Sequence, residues 1–248
     1  WYAPDNAILV VAGAVDPEKV KRLANQYYGA IPAKNLTSRH RVKEPPQIAA
    51  RRLKMESGQV GQASWSRRYR APSYQYGKTQ HVFALQVLSE IIGGGTTSRL
   101  YQSMVVEKKL GVAAGSWYRA ENIGPSVFGF YASPQDGVSI DVLEDGVDRE
   151  IYLVLKDGVT QEEVDAAKIR LQRSAIFAKD SVTAPARIVG SALATGRSIN
   201  DIEDWPNKIS NVTRDDVIFA AKWVFNVKRS LTATLLPKKE SSKKPGTL

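Results

Sequence analysis

Two histidines, His40 and His81, and no cysteine make up all the imidazole and thiol chemistry in this 248-residue chain. A zinc site built without cysteine, or a Ser-His-Asp triad, would have to draw on one of them. His40 lies between Arg39 and Arg41, whose positive charge disfavours a bound cation. The missing cysteines remove disulfides, thiol catalysis and Cys-ligated zinc. One stretch has the look of a phosphate cradle, Gly93-Gly94-Gly95-Thr96-Thr97-Ser98. A P-loop would need a strand before the glycines and a Gly-Lys-Ser/Thr at their end. Here an apolar helical pattern precedes them and no lysine follows, so the glycines read as a tight helix-to-helix turn, with Thr97 or Ser98 capping the second helix.

The elements around that turn organise the chain. From His81 to Tyr118 the sequence reads as an apolar helix, the glycine break, a second helix over 98–109 and then a strand. The first helix spans Gly77 to Ile92, with Val82, Leu85, Leu88 and Ile92 on one side and Phe83, Val87 and Ile91 on another. So wide an apolar arc marks a core helix. Upstream, two strands are expected over 48–56 and 60–71, and the second alternates: Trp65, Arg67 and Tyr69 fall on one side, and Ser64, Ser66, Arg68 and Arg70 on the other. That suits a strand with one face packed and one wet. Further strands are expected at 111–116, 126–132 and 230–236, and further helices at 138–155, at 160–178 behind a Thr160–Glu163 capping box, at 184–196, at 201–209 and at 213–223.

The beginning reads differently. Asn6 to Gly13, a near-continuous apolar run, suits a strand buried on both faces. Asp16 and Pro17 then open a helix that Gly29 closes. Residues 37–47 carry prolines and charges without a period and read as a linker. With no initiator Met, and with Trp1 leading straight into a strand pattern, the chain is expected to be a fragment of something longer. Its end, KRSLTATLL, echoes the opening DNAILVVAG in place and type, as though one unit ends and a second like it follows.

Composition narrows the function classes. Hydrophobic content of 43% and charged content of 24% are those of a globular protein, and no apolar run approaches the roughly 20 residues of a membrane span. The net charge of +10 owes four lysines to the tail over 238–248. No basic run is interleaved with aromatics in a nucleic-acid motif, so a solvated basic surface is expected and not a nucleic-acid partner.

WYAPDNAILVVAGAVDPEKVKRLANQYYGAIPA resembles the end of the first lobe of pitrilysin/insulinase-type zinc peptidases. RYRAPSYQ followed by ALQVLSEIIGGGTTSRLYQSMVVEKK resembles the second lobe, so the likeness runs from Trp1 to about Pro237. It implies an α+β fold, with an antiparallel sheet flanked by helices in each lobe and a chamber for unstructured peptides between lobes. It divides the chain into the end of a preceding lobe (1–36), a linker (37–47), a second, inactive lobe (48–237) and a basic tail (238–248). In this family the first lobe carries zinc on a His-x-x-Glu-His helix, where two imidazoles hold the metal and the glutamate activates water. That helix would lie upstream of Trp1. In the second lobe the matching positions are Ala84, Val87 and Leu88, none of which can bind a metal, and Ala84 and Leu85 follow His81 where a motif would need an acid and an imidazole. The family's substrate-contacting Arg and Tyr, seven residues apart, fall near Val106 and Ala113, both replaced here. Arg99 and Tyr101 remain as candidate peptide contacts.

The resemblance therefore implies the non-catalytic lobe of a zinc peptidase. It implies no cofactor in this chain, zinc in the upstream lobe, and as partners a catalytic lobe or subunit and a peptide substrate. Peptide could be held by adding a strand at a sheet edge. Bacterial relatives of the family suggest a periplasmic location. Two other readings are a pseudo-peptidase subunit or scaffold with no catalytic role, and a basic module for anionic polymers, which a steep salt dependence of DNA binding would reveal.

Overall fold

The computed structural model describes residues 1–37, 42 and 45–238. His40, much of 37–47 and the tail beyond Lys238 lie outside the described residues. The chain forms two compact units, Trp1–Pro46 with Arg170–Lys208 and Gln47–Ile169 with Ile209–Leu248.

In the first unit, α1 (Pro17–Tyr28) starts as its sequence demands. The Asp16 carboxylate accepts from the amides of Glu18 and Lys19, and Pro17 takes the first helical position. Gly29 ends the helix with ordinary right-handed geometry (φ −66°), so it serves there without left-handed backbone. The expected strand over Asn6–Gly13 is not one: Pro4–Asn6 is a short 3-10 turn, and the residues after it have no sheet partner. A strand exists only as a member of a ladder, and all five strands of the described residues belong to the other unit. Ile8, Leu9 and Val11 are left about half exposed (52%, 59% and 46%), while Val10 reaches Gly190 of α6 (Ala184–Ala194). Two short helices, α7 (Ile199–Glu203) and α8 (Trp205–Ser210), stand where a single short helix was expected.

The second unit holds β1 (Arg51–Ser57), β2 (Ser64–Ala71), β3 (Gly111–Tyr118), β4 (Ser126–Pro134) and β5 (Ser230–Pro237), in the order β1-β5-β2-β4-β3. From β5 to β3 each strand is antiparallel to its neighbour, as expected. The edge strand β1 is the exception and runs parallel to β5, Arg51 opposite Leu231 and Ser57 opposite Pro237. The alternation in β2 is realised: Trp65, Arg67, Tyr69 and Ala71 are buried, and Ser64 and Arg68 are exposed.

Helices cover the buried face. α2 (Val82–Gly93) buries Val82, Leu85, Leu88 and Ile92 together with Val87 and Ile91, each contributing about 1.5–3 kcal/mol by leaving water. It packs on β3 and on α9 (Arg214–Val224). Phe128 and Phe130 of β4 meet Tyr69 and Phe225 with ring centroids 5.1–6.0 Å apart, an aromatic centre with edge-on and tilted contacts. Thr160–Glu163 and Thr213–Asp216 form reciprocal capping boxes at the starts of α5 (Gln161–Phe177) and α9.

The glycine turn does more than turn. A Cβ on Gly93 would stand 1.8 Å from the Ser116 amide nitrogen and 2.6 Å from the Gly115 carbonyl carbon, so backbone of α2 lies directly on backbone of β3. Gly95 has φ +130°, a conformation that L side chains rarely adopt. Ser98 takes the N-cap position, but its hydroxyl donates back to the Gly95 carbonyl (2.6 Å) and accepts no amide.

Arg67 is buried with its charge, and two carboxylates one helical turn apart on α4 (Ile140–Asp157) meet it. Its Nη2 donates to Glu144 (2.6 Å), its Nη1 to Asp148, and its Nε to the Thr232 hydroxyl (3.0 Å). Arg52 of β1 donates to Glu144 from the other side (2.6 and 2.7 Å). The Arg52 hydrogen bonds, with the charges of both arginines, hold the Glu144 carboxyl below its usual range.

Candidate functional site

Ala84, Val87 and Leu88 lie inside α2 at 2%, 0% and 0% exposure. They offer no donor atom and face carbon, so the residues here do not fit a zinc ion. Among the described residues no three His, Cys, Asp or Glu side chains are grouped to hold a metal. His81 sits at the start of α2, 4% exposed, with its ring 5.3 Å from Phe219 and 5.5 Å from Trp223. Its Nε2 has no hydrogen-bond partner among the described residues. Burial, with Lys78 adding to it and Asp216 opposing, pushes the imidazole below its ordinary 6.5. The folded chain therefore prefers His81 neutral, and the unfolded chain takes up the proton first as pH falls. That share of stability is complete above about pH 6.5 and is lost as pH drops through that value toward the lower folded one. In denaturant titrations between pH 7.5 and 5, His81→Phe should flatten this fall relative to the parent chain.

The second helix is not a regular α-helix. α3 (Arg99–Tyr101) runs straight into a π-helical turn, Gln102–Glu107, in which the Lys108 amide donates to the Ser103 carbonyl (2.9 Å). A π turn accommodates one more residue than an α turn would, so its side-chain directions do not follow a 3.6-residue period. Met104 is fully buried against α4 where Gly146 leaves room for it. Ser103 and Lys108 both donate to the buried Glu150 (2.6 and 2.8 Å), which ties the π turn to α4. Val106 is half exposed on this turn. Ala113 stands just past an irregularity in β3, where the register with β4 shifts between Gly111 and Ala113.

Arg99 makes a two-pronged ion pair with Glu163 of α5 (2.5 and 2.6 Å). Burial raises the Glu163 carboxyl, but the Arg99 hydrogen bonds and the Thr160 amide outweigh it and hold it low. Glu163 thus closes a capping box and anchors α3 together. Tyr101 is half-buried one residue past Leu100. Arg99 is thus tied to Glu163 and not to Tyr101, Val106 or Ala113.

What it does assemble is the face of the sheet opposite the helices. Strand pairing lines up Leu53, Ala233, Ser66, Tyr131 and Gly115 across all five strands, and Arg51, Leu231, Arg68, Gly129 and Trp117 in a parallel row. Two aromatics lie across glycines of the neighbouring strand. A Cβ on Gly129 would meet the Trp117 ring at 2.4 Å, and one on Gly115 would meet the Tyr131 hydroxyl at 2.5 Å. The guanidinium of Arg68 stands 6.0 Å from the Trp117 ring centre and that of Arg119 5.7 Å from it, both within cation–π range. Leu53 and Met55 are 59% exposed and Tyr131 is 45% exposed. The residues of both rows include no Asp or Glu. Sequence alternation pointed to the Arg68 side of β2. The places of Trp117, Tyr131 and Arg119 depend on which glycine lies opposite which ring, which no local sequence pattern fixes.

Comparison with known proteins bears on this arrangement. The family model described as peptidase M16 inactive domain matches residues 1–171. The zinc protease PqqE of Helicobacter pylori is 27% identical over 241 residues, covering 96% of this chain and 53% of that protein. A zinc protease of Streptomyces coelicolor is 28% identical over 244 residues, covering 93% and 50%. The crystal structure of a protease from Helicobacter pylori superposes with a TM-score of 0.82 at 23% identity, over 91% of this chain and 54% of that one. A peptidase M16 inactive domain from Pseudomonas fluorescens gives 0.70 at 20%, over 91% and 52%. The chain spans about half the length of these relatives.

Proposed function

Because this chain belongs to the peptidase M16 inactive-domain family, we propose that it is the C-terminal, non-catalytic lobe of a zinc metallopeptidase, walling a chamber in which unstructured peptide is held for a metal site on another lobe. The open sheet face carries this reading. One side of the sheet is packed by helices, and the other exposes Leu53, Met55 and Tyr131, an apolar surface that the unit's own core does not use. Zinc belongs, in this reading, to the N-terminal lobe, since Ala84, Val87 and Leu88 supply no ligand. Residues 1–36 are the end of that preceding lobe. The half-exposed Ile8, Leu9 and Val11 then await the sheet that would make a strand of them. Arg99 and Tyr101 are assigned to the neighbourhood of bound peptide. The Arg99–Glu163 pair favours holding α3 in place over direct contact for the arginine.

The test mixes this chain with a separately produced lobe carrying the His-x-x-Glu-His helix, and follows hydrolysis of a quenched-fluorescence unstructured peptide. The chain alone should cut nothing, and adding it should raise the rate of the zinc lobe by about tenfold or more, the scale on which positioning substrate acts. Stoichiometric zinc and hydrolysis by the chain alone would overturn the reading. A mixture no faster than the zinc lobe by itself would point to a pseudo-peptidase subunit.

A further inference from the structure

We propose that the open sheet face of the second unit selects acidic peptide segments, with Trp117 and Tyr131 as flat contacts and Arg51, Arg68 and Arg119 as the selecting charges. The inference rests on the peptide-holding reading above and names the class of peptide held. Three observations combine.

The first is the absence of counter-charge. Among the described residues Arg51, Arg68 and Arg119 form no ion pair with a carboxylate, whereas the helix side of the same sheet pairs Arg52 and Arg67 with Glu144 and Asp148. Arg52 and Arg67 thus have their own acids on the helix-covered side, and Arg51, Arg68 and Arg119 do not have them on the other. The second is the platform. Trp117 lies against Gly129 with Arg68 and Arg119 both near its ring. The ring helps hold the guanidiniums in place, which lowers the ordering cost when a carboxylate arrives. The third is placement. Arg51, Leu231, Arg68, Gly129 and Trp117 share one row across the five strands. Neighbouring strands are about 4.8 Å apart, so Arg51 and Arg68 stand roughly 10 Å apart across β5. That is about the reach of three residues of extended chain. An extended segment crossing the strands can therefore set acidic side chains against both arginines while its apolar side chains rest on Tyr131 and Leu53.

The experiment uses the full chain and fluorescein-labelled 12-residue unstructured peptides of matched length and aromatic content. One carries four Glu, one four Lys and one four Ser in their place, and a 12-nucleotide oligothymidylate serves as a non-peptide anion. Anisotropy at about 20 and 300 mM salt should show the Glu peptide binding at least fivefold tighter than the Lys peptide at low salt. The difference should shrink at high salt, as screening of exposed charges requires. Arg68→Ser with Arg119→Ser should lower Glu-peptide affinity by roughly three- to tenfold, the scale of losing two exposed charge pairs, and leave Ser-peptide binding within twofold. Both arginines reach solvent, so the melting temperature should hold, and Arg51→Ser on its own provides a second variant. Equal binding of the three peptides would overturn the acidic preference while leaving peptide holding intact. Binding of no peptide would overturn both. Oligothymidylate bound tighter than the Glu peptide and lost in the same variants would overturn the proposal in favour of a nucleic-acid surface.

Discussion

Replacing Arg67 with Ala should cost the second unit about 3–5 kcal/mol, the range for removing one partner of a buried ion pair, and should unfold a marginal chain at physiological temperature. Glu144 is itself buried and shares its oxygens between Arg67 and Arg52. Without Arg67 it keeps only a partner whose side chain is 61% exposed. Asp148 loses its arginine, and the Thr232 hydroxyl loses its donor. Urea melts of the variant, read by tryptophan fluorescence, measure the loss. Acid should reveal the same network. Because the folded Glu144 carboxyl lies below its ordinary 4.5, its contribution is present above that value and disappears as pH falls through the lower folded one. Pairing the change with Glu144→Gln should recover part of the loss, since no unpaired carboxylate then remains at that position. A change of Arg67 to Met should cost less than the change to Ala, because it keeps the volume beside Trp65.

Gly93→Ala should be as damaging, by a steric route. The new methyl would lie on the Ser116 amide nitrogen and the Gly115 carbonyl, and those atoms belong to a strand already paired with β4. Neither side can yield without moving α2 away from β3. The Ser116 hydroxyl, which donates to the Ser89 carbonyl at 3.0 Å, would go with it. Overpacking usually costs about 1–3 kcal/mol. Here the clash is backbone on backbone, so the upper end or beyond is expected. Gly95→Ala, at φ +130° but with nothing within 4 Å of its Cβ, isolates conformational strain alone and should cost about 1 kcal/mol. Chemical denaturation of the two variants side by side separates the causes.

Much of this was readable in the chain, and the unreadable part has identifiable reasons. The alternation Ser64-Trp65-Ser66-Arg67-Arg68-Tyr69-Arg70 placed every side chain of β2 on its correct face, because a strand's period of two survives any choice of neighbours. The caps at Asp16, Thr160 and Thr213 are local, and each formed. The alternation sets Arg67 on the packed side, but its partners Glu144 and Asp148 depend on how α4 crosses β2, which no local pattern shows. Asn6–Gly13 has the composition of a buried strand. Composition, though, gives only a preference, and pairing needs a neighbour that the described residues do not provide. The π turn at Gln102–Glu107 escapes a 3.6-residue reading by its nature. The Trp117–Gly129 and Tyr131–Gly115 contacts follow from strand register, which two short apolar segments do not fix by themselves.

The parallel pairing of β1 with β5 has a consequence in time. Among the described residues β1 is hydrogen-bonded to no other strand, and its partner at Arg51 is Leu231, 231 − 51 = 180 residues further along the chain. On a ribosome adding about 5–20 residues per second, Arg51–Ser57 waits on the order of 10–40 s before Ser230–Pro237 exists. During that wait the place between β1 and β2 stays vacant, and Leu53 and Met55 have no ladder to join. The sheet is thus sealed by its last-made strand, inserted between its first two. Its completion waits for that strand and carries a loop-closure cost, so the nascent chain passes through a stage in which β1 and β2 both have an open edge.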